Sequence, residues 1–142
     1  MVITLEDIRA WMRQKATNPK IEPELLFAIA CVESSLDPQA VSKKGAQGLF
    51  QFMPITQRDL RERFSYPFNP FCPVCSTVAA SIYLAWLFSK FPDETNLVLT
   101  AWNWGYGNAQ DFIQGKIPRL PKETEDFVKK VLAKYREIKK EE

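Results

Sequence analysis

Apolar residues recur at helical spacing in one segment after another along this chain, and two-residue alternation is confined to Phe50-Gln51-Phe52-Met53. Leu5, Ile8, Trp11 and Met12 form a first stripe, opened by a Thr4/Asp7 pair that resembles a capping box and stopped at Asn18-Pro19. Pro23 suits the first turn of a second helix, which carries Leu25, Leu26, Ile29 and Val32 and ends near Ser34-Ser35, before a turn at Asp37-Pro38. A short helix is predicted over Thr56–Phe64, followed by a proline-rich loop from Tyr66 to Pro73. From Val74 to Lys90 a long segment is apolar around much of its circumference, with Val78, Ile82 and Trp86, which predicts a central helix ending at Phe91-Pro92-Asp93. Leu97, Val98 and Ala101 continue in another helix that stops at a Gly105/Gly107 turn. A last helix starts around Pro121-Lys122 and buries Phe127, Val128, Val131, Leu132, Tyr135 and Ile138. Six or so helices, with no internal repeat or linker, predict one all-α domain spanning residues 1–142.

The candidate chemistry sits at the end of the second helix. Glu33 follows Val32 and lies four residues after Ile29, near the apolar face. Burial disfavours a charged carboxylate and raises its pKa, and the partial negative charge of a helix C-terminus acts in the same direction. A carboxylic acid kept protonated near neutral pH is what a general acid requires. The bland alternative is a glutamate on the solvated edge of an amphipathic helix. Ser34 can orient Glu33 or satisfy helix-end backbone groups, and Asp37 reads as a turn residue before proline rather than a second catalytic carboxylate. Gly45 and Gly48 offer room for close approach of a ligand. The alternation after them can turn Phe50 and Phe52 to the core and Gln51 and Met53 to a cleft.

Composition narrows the classes. The chain has no histidine, which excludes Ser-His-Asp and Cys-His hydrolases and removes the commonest zinc ligand. A net charge of +2 is too mild for a dedicated nucleic-acid binder, although Lys43, Lys44, Arg58, Arg61 and Arg63 outnumber Asp59 and Glu62 locally and could favour an anionic polymer. Cys72-Pro73-Val74-Cys75 reads as structural, with a local disulfide possible; Cys31 reads as a small buried hydrophobe. The first residues lack the basic start and apolar run of a signal peptide, and no segment has the ~20 apolar residues of a membrane span. A soluble protein without membrane insertion is expected.

Four ordered stretches carry a resemblance to a known family: Glu33-Ser34-Ser35; Ser42 with the run Gly45-Ala46-Gln47-Gly48-Leu49-Phe50-Gln51-Phe52-Met53-Pro54; Ala101-Trp102-Asn103-Trp104-Gly105-Tyr106-Gly107-Asn108; and Leu120-Pro121-Lys122-Glu123-Thr124 through Val128. Together they resemble the soluble lytic transglycosylases, relatives of goose-type lysozyme. The resemblance implies a lysozyme-like fold and cleavage of the β-1,4 bond between N-acetylmuramic acid and N-acetylglucosamine in peptidoglycan, closing a 1,6-anhydro ring, with Glu33 as general acid and base. It implies substrate contacts from Ser42, Gln51, Met53, Trp102, Asn103 and Glu123, with Asn103 bonding an N-acetyl group. No metal or organic cofactor is required, glycan strands are the partner, and a monomer is expected.

The chain also departs from the family pattern. Trp102 stands where the family has tyrosine, Trp104 where it has alanine, Tyr106 where proline is common, and Phe127 in place of another tyrosine. Trp102 offers one N–H donor and no hydroxyl, so the expected tyrosine contact to Glu33 is left open, as are stacking on a sugar and packing in the core. Tyr106 is the candidate to restore a hydroxyl to the cleft. A hydrolytic muramidase and a non-catalytic glycan-binding module of an envelope or virion assembly are the alternatives. A short chain without a leader fits a phage endolysin acting on the bacterial cell wall, with a secretion-system hydrolase as runner-up.

Overall fold

Residues 2–13 and 20–142 are described by a computed structural model. Among them are seven helices: α1 (Leu5–Arg13), α2 (Pro23–Ser34), α3 (Pro54–Arg63), α4 (Pro73–Lys90), α5 (Thr95–Trp104), α6 (Tyr106–Ile113) and α7 (Lys122–Lys140). The expected stop at Asn18-Pro19 lies outside the described residues. The rest matches the all-α expectation, apart from two isolated antiparallel bridges, Val41 with Gln47 and Gln47 with Phe52, in the loop between α2 and α3.

Local chemistry explains where the helices start and stop. Thr4 and Asp7 form a reciprocal cap, with Thr4 N–H donating to Asp7 Oδ2 at 2.9 Å and Asp7 N–H to Thr4 Oγ1 at 3.2 Å. Proline occupies the first turn of α2, α3 and α4, where its missing N–H would have had no helical partner. The chain therefore enters α3 at Pro54, ahead of the expected Thr56. Helix α2 ends on Ser35 in the left-handed region (φ 54°), whose N–H returns to Ala30 and Cys31.

One element departs from the expected order. α6 begins immediately after α5, separated by Gly105 alone at φ 100° and ψ 146°, a conformation essentially restricted to glycine. Gly107 and Asn108 give this segment a weak intrinsic helix preference. Tertiary contacts outweigh it: Ala109 is fully buried, and Asn108 Nδ2 donates to Trp104 O at 2.9 Å.

Helix α2 is the pivot of the packing. It is apolar nearly all round, with Leu25, Leu26, Ala28, Ile29 and Ala30 all buried, and it touches α1, α4 and α7. Helix α4, expected to be central, packs on α1, α5 and α2, and α5 lies against α7 and α6. Leu49 and Phe50 from the loop enter the same core. No helix among the described residues is long and apolar enough to cross a membrane.

Glu24 is a buried carboxylate within α2, 8% exposed. Arg9 Nη2 lies 3.0 Å from its Oε2 and 2.7 Å from Glu142, and Lys139 Nζ lies 4.0 Å away. Burial alone would raise the Glu24 pKa; hydrogen bonding with Glu142 and its own backbone, together with the charges of Arg9 and Lys139, holds it below the usual value. Arg9→Met removes the main partner of a buried charge and is expected to cost about 2–3 kcal/mol at pH 7 in urea unfolding. Because the folded pKa is depressed, this contribution is present above the ordinary carboxylate value and lost as pH falls through the folded one, so the two proteins converge in acid.

Candidate active site

Glu33 occupies the last turn of α2 and reaches across to α5. Trp102 Nε1–H donates to Glu33 Oε2 at 3.1 Å. An indole N–H thus stands where the resemblance leads one to expect a tyrosine hydroxyl, and it is a donor that can neither accept nor release a proton in acid–base exchange. Trp102 is partly buried against Phe50, Phe52 and Tyr83, with ring centroids 6.4, 5.9 and 5.5 Å away. Packing in this aromatic cluster fixes the angle of the N–H toward Glu33.

The Glu33 carboxyl is pushed up to about 7. Burial is the main cause; the Trp102 N–H opposes it by stabilising the anion, and the negative charge of Glu123 adds to it. Glu123 is exposed in the first turn of α7. A carboxyl in this state holds its proton through much of the neutral range yet can release it to a basic oxygen.

The loop from Ser35 to Met53 follows directly on the helix end that carries Glu33. Ser34 Oγ–H donates to Leu49 O at 2.7 Å and to Ala30 O at 3.2 Å, so it ties the loop to the helix end rather than orienting Glu33. Asp37 Oδ1 accepts Gln39 N–H at 2.9 Å, the expected turn role. Phe50 and Phe52 are buried, Met53 is exposed and Gln51 is half-buried, in line with the alternation. Gln51 has φ 53°, and both donor bonds of its amide run to main-chain carbonyls, Ala40 O at 3.1 Å and Gly48 O at 2.9 Å. The Ser42 hydroxyl accepts Ala46 N–H at 3.0 Å within its own turn.

Gly48 has a different role from the one its sequence suggests. A Cβ there would lie 1.9 Å from Pro70 O, at φ 82°. The close approach is made by the chain's own proline-rich loop, not kept open for a ligand. Gly48→Ala is expected to lose at least about 3 kcal/mol, since strain and a backbone clash combine. Gly45 has φ 91°, but a Cβ at this position would meet nothing within 4 Å, so its alanine variant is expected to lose only about 1–2 kcal/mol. Urea unfolding of the two variants side by side checks this ordering.

Asn103 neighbours Trp102 on α5. Thr124 Oγ1–H donates to Asn103 Oδ1 at 2.8 Å, which joins the third resemblance block to the fourth. Tyr106, the candidate for a replacement hydroxyl, is directed elsewhere. Its ring packs on Trp86 (5.0 Å) and Phe91 (5.7 Å), and its hydroxyl accepts Gln110 Nε2–H at 2.7 Å. Its size and its i, i+4 partner Gln110 draw it to the α4 side. Cys72 and Cys75 pair as a disulfide across the first turn of α4, and Cys31 is half-buried rather than fully buried.

Glu33, Trp102 and Glu123 are thus linked by contact or charge, Asn103 is adjacent in sequence to Trp102, and Gln51 lies between the two phenylalanines that pack on it. Two further participants are not evident from the sequence. Tyr83 packs on both Trp102 and Trp86, and burial pushes its phenol up to about 12. Its i, i+3 spacing to Trp86 is the available signal. Thr124 lies inside the fourth resemblance block, where its type and place indicate only the start of a helix. A cavity of about 450 Å³ between α5 and α7, lined by Leu97, Leu120, Val128 and Leu132, contains none of the candidate site residues.

Comparison with known proteins identifies the family and the fold. The Transglycosylase SLT domain family matches residues 10–120. The membrane-bound lytic murein transglycosylase D of Escherichia coli K12 is 28% identical over 145 residues, covering 94% of this chain and 32% of that protein. The crystal structure of the 70 kDa soluble lytic transglycosylase of Escherichia coli superposes with a TM-score of 0.77 at 26% identity, covering 94% of this chain and 24% of that one. The lytic transglycosylase Slt of Pseudomonas aeruginosa, solved as an inactive Glu-to-Gln mutant, gives a TM-score of 0.75 at 26% identity, covering 89% of this chain and 23% of that one. This chain spans about a third of the curated relative and about a quarter of each solved one. The match over most of its length, on a lysozyme-like arrangement of helices, means that this chain belongs to the Transglycosylase SLT domain family.

Proposed function

We propose that this chain is a peptidoglycan lytic transglycosylase acting on glycan strands of the bacterial cell wall, with Glu33 as its general acid and base. The observation that carries the reading is the buried Glu33 carboxyl, raised to about 7 and held by the Trp102 N–H. The names of the relatives support the same reaction class.

In the proposed reaction the protonated Glu33 donates to the glycosidic oxygen between N-acetylmuramic acid and N-acetylglucosamine. The C1–O bond breaks through an oxocarbenium-like transition state. The substrate's own 2-acetamido oxygen stabilises C1. Glu33, now a carboxylate accepting the Trp102 N–H, takes the proton of the muramic acid C6 hydroxyl, whose oxygen attacks C1 and closes the 1,6-anhydro ring. The donor-only indole suits this cycle, because it strengthens on the carboxylate and leaves the proton to travel between Glu33 and sugar alone. Gln51, Met53, Asn103 and Glu123 are assigned to the glycan, and Ser42 to the rim of the same loop. Exposed Met53 and Glu123 are free to touch a polymer, whereas Gln51 presents its amide oxygen, its N–H groups being bound to the main chain.

Mass spectrometry of soluble products from purified peptidoglycan tests the proposal. Fragments ending in 1,6-anhydro-muramic acid, one water lighter than reducing ends, are expected. Reducing ends would identify a hydrolase using the same acid, and binding without release would leave a glycan-binding module.

A further inference from the structure

We propose that Thr124 is a positioning residue that sets the preference of this site for sugars bearing a 2-acetamido group. The inference deepens the reading of Asn103 as a glycan contact and rests on it. Thr124 lies in the first turn of α7 and is 1% exposed. Its hydroxyl donates its single proton to Asn103 Oδ1 at 2.8 Å. A primary amide is two-faced: rotating it by half a turn exchanges an acceptor for a pair of donors. An asparagine held only by its stem could present either face to a sugar. The Thr124 bond holds the amide in place, and in this arrangement its oxygen lies on the hydroxyl and the Nδ2 donors are the face left for substrate. Donors complement the carbonyl oxygen of an acetamido group, which the hydroxyl of an unsubstituted sugar at the same carbon cannot match at the same reach.

The position explains why a threonine belongs here. The residue is buried where a purely apolar side chain would pack, and a buried hydroxyl without a partner is costly. Its bond crosses from α7 to α5, elements distant in sequence, and joins the segment carrying Glu123 to the segment carrying Trp102 and Asn103. Glu123, beside it, contributes negative charge to Glu33. One helix start thus shapes both the acid's field and the orientation of the amide.

The test compares wild type with Thr124→Val, which keeps the shape and removes the hydroxyl, and Thr124→Ser, which restores it. Binding of chito-tetraose and cello-tetraose, which differ at C2 only in acetamido against hydroxyl, is measured by calorimetry, with cleavage of peptidoglycan measured in parallel. Wild type and Thr124→Ser are expected to prefer chito-tetraose, and Thr124→Val is expected to lose about ten-fold of that preference, the scale of one well-oriented hydrogen bond. In cleavage the valine variant raises KM more than it lowers kcat, since the amide holds the sugar and not the proton. A merely structural role would lower thermal stability and leave the ratio of the two affinities unchanged. An unchanged ratio in Thr124→Val overturns the inference, even if peptidoglycan is cleaved normally. A threonine-dependent ratio without any peptidoglycan cleavage supports the inference and overturns the catalytic reading.

Discussion

Glu33→Gln is expected to abolish glycan cleavage while making the folded protein more stable above neutral pH. Loss of a general acid that also serves as base removes on the order of 10³-fold or more from kcat. The stability effect follows from the same carboxyl. Its folded pKa, about 7, lies above its value in the unfolded chain, so the folded state binds more protons between the two. Stability therefore declines as pH rises from the ordinary carboxylate range through about 7, and the full penalty is present above that. Glutamine is neutral at every pH and carries no such penalty. Urea unfolding at pH 8 is expected to favour Glu33→Gln by roughly 2–3 kcal/mol, with the two proteins equal near pH 4. A variant that is inactive but less stable at pH 8 would mean that the side chain is a structural anchor, and the inference from burial to acid would fail.

Trp102→Phe is the second large expectation. It keeps the aromatic packing against Phe50, Phe52 and Tyr83 and removes only the N–H to Glu33. That bond favours the ionised carboxylate, so its loss moves the Glu33 pKa further upward. The high-pH limb of activity is expected to shift to higher pH. Maximum kcat/KM should fall by about ten-fold or more, because a hydrogen bond to a charged group contributes about 1.5–3 kcal/mol where the carboxylate must form. Trp102→Tyr, which returns a hydroxyl donor, is expected to recover part of the loss. A pH profile unchanged in Trp102→Phe would assign the indole to packing alone.

Much of this arrangement is readable from residue types because local rules and tertiary needs coincide there. Thr4 and Asp7 cap α1 as their spacing indicates, and the alternation at residues 50–53 correctly divides core from surface. Glu33 can be singled out because helical spacing places it beside Ile29 and Val32 and the glycine-bearing segment follows. What escapes is set by contacts between distant segments. Gly48 makes room for Pro70, a neighbour that no local pattern names. Tyr106 is drawn to Trp86 and Phe91, and α6 forms despite Gly107 because Ala109 is buried beneath it. The Trp102 bond to Glu33 is hidden because residue type shows the loss of a hydroxyl, whereas the reach of the indole N–H depends on packing across two helices. Thr124 is invisible for the same reason: its partner is on another helix.

In the proposed mechanism, burial keeps Glu33 protonated near neutrality so that it can serve as the acid. Carbon-13 NMR titration of the glutamate side-chain carboxyls, with Glu33 assigned by its absence in Glu33→Gln, measures this directly. The expected result is one carboxyl titrating with a midpoint near 7, coincident with the falling limb of peptidoglycan cleavage. A Glu33 midpoint in the ordinary carboxylate range, with cleavage indifferent to pH between about 5 and 8, would contradict it.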